Sequence, residues 1–115
     1  MNAAHEYLDK TGRILDQIAG TQMDALCLAA GWVAYTIERD GIVYTLGSGH
    51  SLLVAAEFYF RAGGMSHFDV IHDKTFGRAE RLAGYARVLL DSYPLSGKDL
   101  LIIVSNSGRN ELPVE

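Results

Sequence analysis

The chain holds one cysteine, Cys27, and two prolines, Pro94 and Pro113, in 115 residues. A single thiol excludes an internal disulfide and any zinc site built on several cysteines. Its neighbours Ala25, Leu26, Leu28 and Ala29 mark a buried helix position, where cysteine acts as a small apolar side chain. Positive charge is also scarce. Ten Lys and Arg against fourteen Asp and Glu leave a net charge of -4, without a basic stripe or tail. That excludes the electrostatic footprint of a nucleic-acid-binding surface. No run approaches the ~20 apolar residues of a membrane span. The first residues include His5, Glu6 and Asp9 rather than a basic and then an apolar leader, so a cytoplasmic protein is expected. No set of His, Asp and Glu has metal-ligand spacing, so neither a metal nor a cofactor is expected.

What is present is ordinary globular composition, 49% apolar and 21% charged, in a length that suits one domain. Residues 3 to 39 read as helical, because Leu8, Ile14, Leu15, Ile18, Met23, Leu26, Ala30, Val33 and Ile37 recur at steps of three and four. Gly20-Thr21 is a candidate bend, with Thr21 as a cap and Asp24 three residues on. Asp40-Gly41 is the stop, where Gly41 is free to take a positive φ. The stretch from Cys27 to Tyr35 is apolar on nearly all sides and is expected to need partners, for which a second copy is a natural candidate.

Beyond this helical segment (1–40) lies an α/β portion (41–115). Ile42–Leu46 reads as a strand, Ser51–Ala62 as a helix, Phe68–Ile71 as a second strand, Phe76–Asp91 as a helix, and Leu100–Val104 as a strand apolar throughout. Alternating strands and helices predict an α/β fold, a parallel sheet with helices on its faces. Ligands of such sheets bind outside the carboxyl ends of the strands. Three strands alone leave edges and an apolar face bare. A longer protein of which this is the amino-terminal portion is therefore expected, with completion by another copy as the other possibility.

Two polar loops occupy those carboxyl ends. Ser105-Asn106-Ser107-Gly108-Arg109-Asn110 follows Leu100–Val104, and Gly47-Ser48-Gly49-His50-Ser51 follows Ile42–Leu46. Short hydroxyls, backbone N–H groups and a helix start together suit an anion, most often phosphate. The dinucleotide fingerprint fails, since its third glycine would fall on Leu52, and no Gly-Lys-Ser/Thr of a Walker loop occurs. Taken alone, Gly47–Ser51 is equally an ordinary strand–helix turn with Ser51 as cap. In the other loop, Ser107 and Asn110 would donate to phosphate oxygens, with the N–H groups of Ser107, Gly108 and Arg109 behind them.

A Gly-x-Gly-x-Ser loop and a later Ser-x-Ser-Gly-x-polar loop resemble the SIS, or sugar isomerase, phosphosugar-binding domain. The stretch from Gly47 to Arg61-Ala62-Gly63-Gly64 is also similar to an uncharacterised bacterial group of sugar isomerase domain-containing proteins. The resemblance covers most of residues 40 to 115. It implies a three-layer, flavodoxin-like parallel sheet, usually of five strands, preceded by a long helix. It further implies that Ser105, Ser107, Gly108 and Asn110 hold a sugar phosphate, with Ser48 and Ser51 on the opposite loop. Asn110 departs from the usual Thr or Ser, but an amide still donates.

Aldose–ketose isomerisation needs a base to move a proton between adjacent carbons and an acid to shuttle one between oxygens. Ala55-Ala56-Glu57 repeats a family Ala-Ala-Glu about one turn early, which makes Glu57 the candidate carboxylate, and His50 is the candidate acid–base group. Each is equally well read as a solvated or backbone-bonded residue. The expected ligand is a hexose or amino-sugar phosphate. The expected function is phosphosugar isomerisation, or else phosphosugar sensing in a regulator, by a homo-oligomer formed through the N-terminal helix.

Overall fold

The computed structural model describes residues 2–115 and divides into two compact units, up to Ala34 and from Tyr35 onward. The first unit is helical. Helix α1 (Ala3–Thr21) opens under an Asn2 cap, whose side-chain oxygen accepts the N–H of His5 at 3.0 Å. Helix α2 (Met23–Glu38) follows after the single residue Gln22, and the division between the units falls within it. Thr21 does not cap α2. Its hydroxyl donates back to the Gln17 carbonyl at 2.7 Å, so α1 runs through Gly20. The expected burial of Cys27 is also corrected: the thiol is exposed. An apolar helix signals a need for cover, and α1 and α2 bury no residue before Thr36.

The second unit is α/β. Its strands β1 (Val43–Gly47), β2 (Phe68–Ile71) and β3 (Leu100–Val104) form one parallel sheet in the order β2-β1-β3. Strand β1 is central and buried at every residue, with Tyr44 and Leu46 on the face that meets Ile71, Ala86, Leu89 and Leu112. On the other face the Thr45 hydroxyl donates to the Ala55 carbonyl at 2.7 Å, which seats helix α3 (Ser51–Phe60) closely on the strand. Ala55 is fully buried there, where a larger side chain would hold helix and sheet apart.

The α2 stop differs from expectation in one respect. Asp40 takes the left-handed conformation (φ 55°), as short polar residues can. Gly41 is required instead for close approach, since a Cβ there would collide with the Lys98 carbonyl oxygen. Strand β3 is not covered on both faces as its sequence implied. It lies at the sheet edge and Ile103 is 46% exposed.

The helix expected over Phe76–Asp91 is reduced to α4 (Tyr85–Leu90). Phe76, Gly77 and Gly84 all have positive φ (53°, 84° and 83°), which no α-helix admits. Residues 74–84 form turns instead. A final short helix, α5 (Glu111–Val114), starts after Asn110. The residue after it feeds back: the Glu115 carboxylate accepts the N–H groups of Gly84 (2.8 Å) and Ala86 (3.3 Å) at the start of α4.

Candidate functional site

The strand order fixes where a ligand can sit. The chain leaves β1 for β2 on one side and returns to β3 on the other, so the switch point lies between β1 and β3. Gly47, the last residue of β1, pairs with Val104, the last of β3. The two polar loops therefore start side by side. Between them is a cavity of about 260 Å³ lined by Ser48, Gly49, His50, Ser51, Glu80, Ser105, Asn106, Ser107 and Asn110. This is just below the usual volumes of ligand pockets, roughly 300–1,000 Å³, and favours a small polar ligand over a dinucleotide.

Gly47 makes the first loop possible, because a Cβ there would collide with the Ser51 carbonyl oxygen. The chain then turns through Gly49 at φ 56°, and the N–H groups of Ser51, Leu52 and Leu53 bond back to Ser48, Gly49 and His50. His50 precedes α3 and makes no side-chain capping bond. In the second loop the Ser105 hydroxyl accepts the Gly108 N–H at 2.9 Å, and the Ser107 hydroxyl accepts the Arg109 N–H at 3.3 Å. Gly108 shapes this turn (φ 61°) rather than lining the cavity. Both serine O–H groups keep a donor for a ligand.

Seven of the eight residues singled out from the sequence thus belong to these two loops. Glu57 does not reach the cavity. It is exposed on α3, roughly 9 Å further along the axis than Ser51 at 1.5 Å per residue. There it lines a separate hollow with Val54, Phe58 and Arg61.

Glu80 was missed. It reaches the cavity because the segment after β2 is turns, not helix. Asp73 organises that segment: fully buried, it accepts the Thr75 hydroxyl (2.6 Å), the Tyr85 hydroxyl (2.7 Å) and the N–H groups of Gly77 (2.8 Å) and Thr75 (2.9 Å). Burial opposes its charge, but the hydrogen bonds from Thr75, Tyr85 and Gly77 outweigh it and hold its carboxyl below the usual carboxylate range. Gly77 then abuts the first loop, since a Cβ on it would lie 3.0 Å from the Gly49 nitrogen. The spacing Asp73-x-Thr75-x-Gly77 was the available signal for such a turn.

A model of the SIS domain matches residues 6–115. The chain belongs to the SIS domain family. Membership implies phosphosugar binding in general. The SIS chain is also 36% identical to a UPF0309 protein of Streptomyces griseus, over 97% of this chain and 49% of that relative. It is 34% identical to a UPF0309 protein of Halalkalibacterium halodurans, over 96% of this chain and 49% of the relative. To a UPF0309 protein of Listeria monocytogenes it is 35% identical, over 95% and 47%. The chain spans about half the length of the curated relatives it matches. Among the described residues no helix is long and apolar enough to cross a membrane.

Proposed function

We propose that this SIS domain binds a hexose or amino-sugar phosphate at the β1 and β3 loops, as the phosphate-holding part of a cytoplasmic phosphosugar isomerase. The observation that supports it best is the convergence of Ser48, Ser51, Ser105, Ser107 and Asn110 on one cavity at the switch point. These five side chains all donate, and none carries a positive charge. A phosphate held this way would leave the sugar carbons toward His50. His50 would act as acid or base at the sugar oxygens. Glu57 would act as the base that moves a proton between adjacent carbons through an enediolate only once it is brought to the cavity, which it does not line here. The exposed apolar residues of α1 and α2, among them Leu8, Leu15, Leu26 and Trp32, would form a homo-oligomer contact.

A second reading, phosphosugar sensing without turnover, is favoured by the place of Glu57 outside the cavity. One experiment separates the two. Glucose 6-phosphate and fructose 6-phosphate are titrated into the full chain while interconversion and solvent-deuterium incorporation at C2 are followed. Turnover that is lost in Glu57→Gln with binding retained supports the isomerase. Turnover unchanged in that variant removes Glu57 as the base, and saturable binding without exchange supports the sensor.

A further inference from the structure

The phosphate cavity contains a carboxylate, and this is what the proposed function leaves unexplained. Among the described residues, Glu80 is the one acidic side chain lining it, and no Lys or Arg lines it to offset that charge. Its backbone is pinned on both sides. The Glu80 N–H donates to the Gly77 carbonyl at 3.3 Å, and its carbonyl accepts the N–H of Leu112, a core residue 2% exposed, at 2.9 Å. The carboxylate points to the first loop: Glu80 Oε2 lies 3.8 Å from where a Cβ on Gly49 would be. Among the described residues nothing donates to this carboxylate, so its lone pairs are open to a ligand.

A bare phosphate in such a cavity meets like charge. A ligand whose phosphate is held by the serines, and which turns hydroxyl or ammonium donors to Glu80, meets a strong charge-assisted acceptor. We infer that Glu80 makes the cavity select polyhydroxy or amino-sugar phosphates over free inorganic phosphate. The inference rests on the phosphosugar reading and deepens it. Discrimination comes from the repulsive element as much as from the attractive one.

The test compares inorganic phosphate, glucose 6-phosphate and glucosamine 6-phosphate as probes, by calorimetric titration of the full chain and of Glu80→Gln. The glutamine keeps the side chain's shape, and both backbone bonds of residue 80 remain. Circular dichroism melts confirm folding, and Glu80→Asp provides a charged control with a shorter reach. The expected result is that Glu80→Gln binds inorganic phosphate about tenfold more tightly and lowers the preference for the sugar phosphates over it by at least about tenfold. Glu80→Asp keeps weak binding of inorganic phosphate. An unchanged preference in Glu80→Gln, with sugar phosphate still bound, overturns the role of Glu80 alone. Failure of wild type and variant to bind any of the three probes overturns the phosphosugar reading together with it.

Discussion

Asp73→Asn tests how the cavity is held together. The substitution keeps the volume of a fully buried side chain and removes its charge. Two groups donate to Asp73 Oδ1 besides the Thr75 N–H, namely the Thr75 and Tyr85 hydroxyls, and the Gly77 N–H donates to Oδ2. An amide must present its NH₂ to one side, so at least one buried donor faces a donor. Hydrogen bonds to a charged group are worth about 1.5–3 kcal/mol, and an unsatisfied buried donor costs about 1–3. Rotation of the two hydroxyls recovers part of this, leaving an expected loss of about 2–3 kcal/mol. For 115 residues at about 2.1 cal/mol/K each, that lowers Tm by roughly 8–12 °C.

The pH dependence gives an independent check on the same residue. The Asp73 carboxyl titrates lower in the folded chain than its ordinary value of 3.8. Its contribution is therefore complete above that ordinary value and is lost as pH falls through the folded one. Melting curves of wild type and Asp73→Asn should be furthest apart near neutral pH and converge below about pH 4. Sugar-phosphate selectivity should fall too, because Asp73 shapes the turn that carries Glu80. A Tm shift under about 2 °C at pH 7, or a gap that widens in acid, would refute the account of Asp73 as a charged organiser.

Ser105→Ala removes one donor from the cavity and leaves the Gly108 N–H without its acceptor, so affinity for glucose 6-phosphate should fall about 3–10-fold by titration. Ser48→Ala combined with it should fall further than either alone, because both serines face one cavity. Gly47→Ala places a Cβ against the Ser51 carbonyl and should destabilise the chain by at least about 1–3 kcal/mol in urea unfolding, with sugar-phosphate binding lost.

Strands β1 and β3 were legible because they are runs rich in apolar residues ended by glycine or serine. Leu100–Val104 was read with the bounds the structure gives, and Ile42–Leu46 one residue from its β1 bounds. The two loops were legible for the same reason, since a strand that runs into hydroxyls has to open a polar site. The segment after β2 was not. Its Ala, Leu and Arg content favours helix, but Gly77 and Gly84 at positive φ and the four bonds to Asp73 decide the path. The Tyr85 contact spans twelve residues, and local propensity has no access to it. Cys27 misled for a related reason: apolar surroundings state what a helix needs, while exposure depends on what is present to cover it.

The composition of the cavity bears on how a ligand would be held. Arginine and lysine bind phosphate strongly and with marked salt dependence, and among the described residues neither lines the cavity. Serine hydroxyls and an amide contribute about 0.5–1.5 kcal/mol each, enough to orient a phosphate but not to trap it. Tight ground-state binding does not speed a reaction, whereas orientation of the part that reacts does. A neutral set of donors for the phosphate, with the Glu80 carboxylate beside the first loop, would concentrate discrimination on the sugar rather than on the anion. On the proposed role of Glu80, the two serine loops alone would make an anion site, and Glu80 would let that site tell a sugar phosphate from inorganic phosphate.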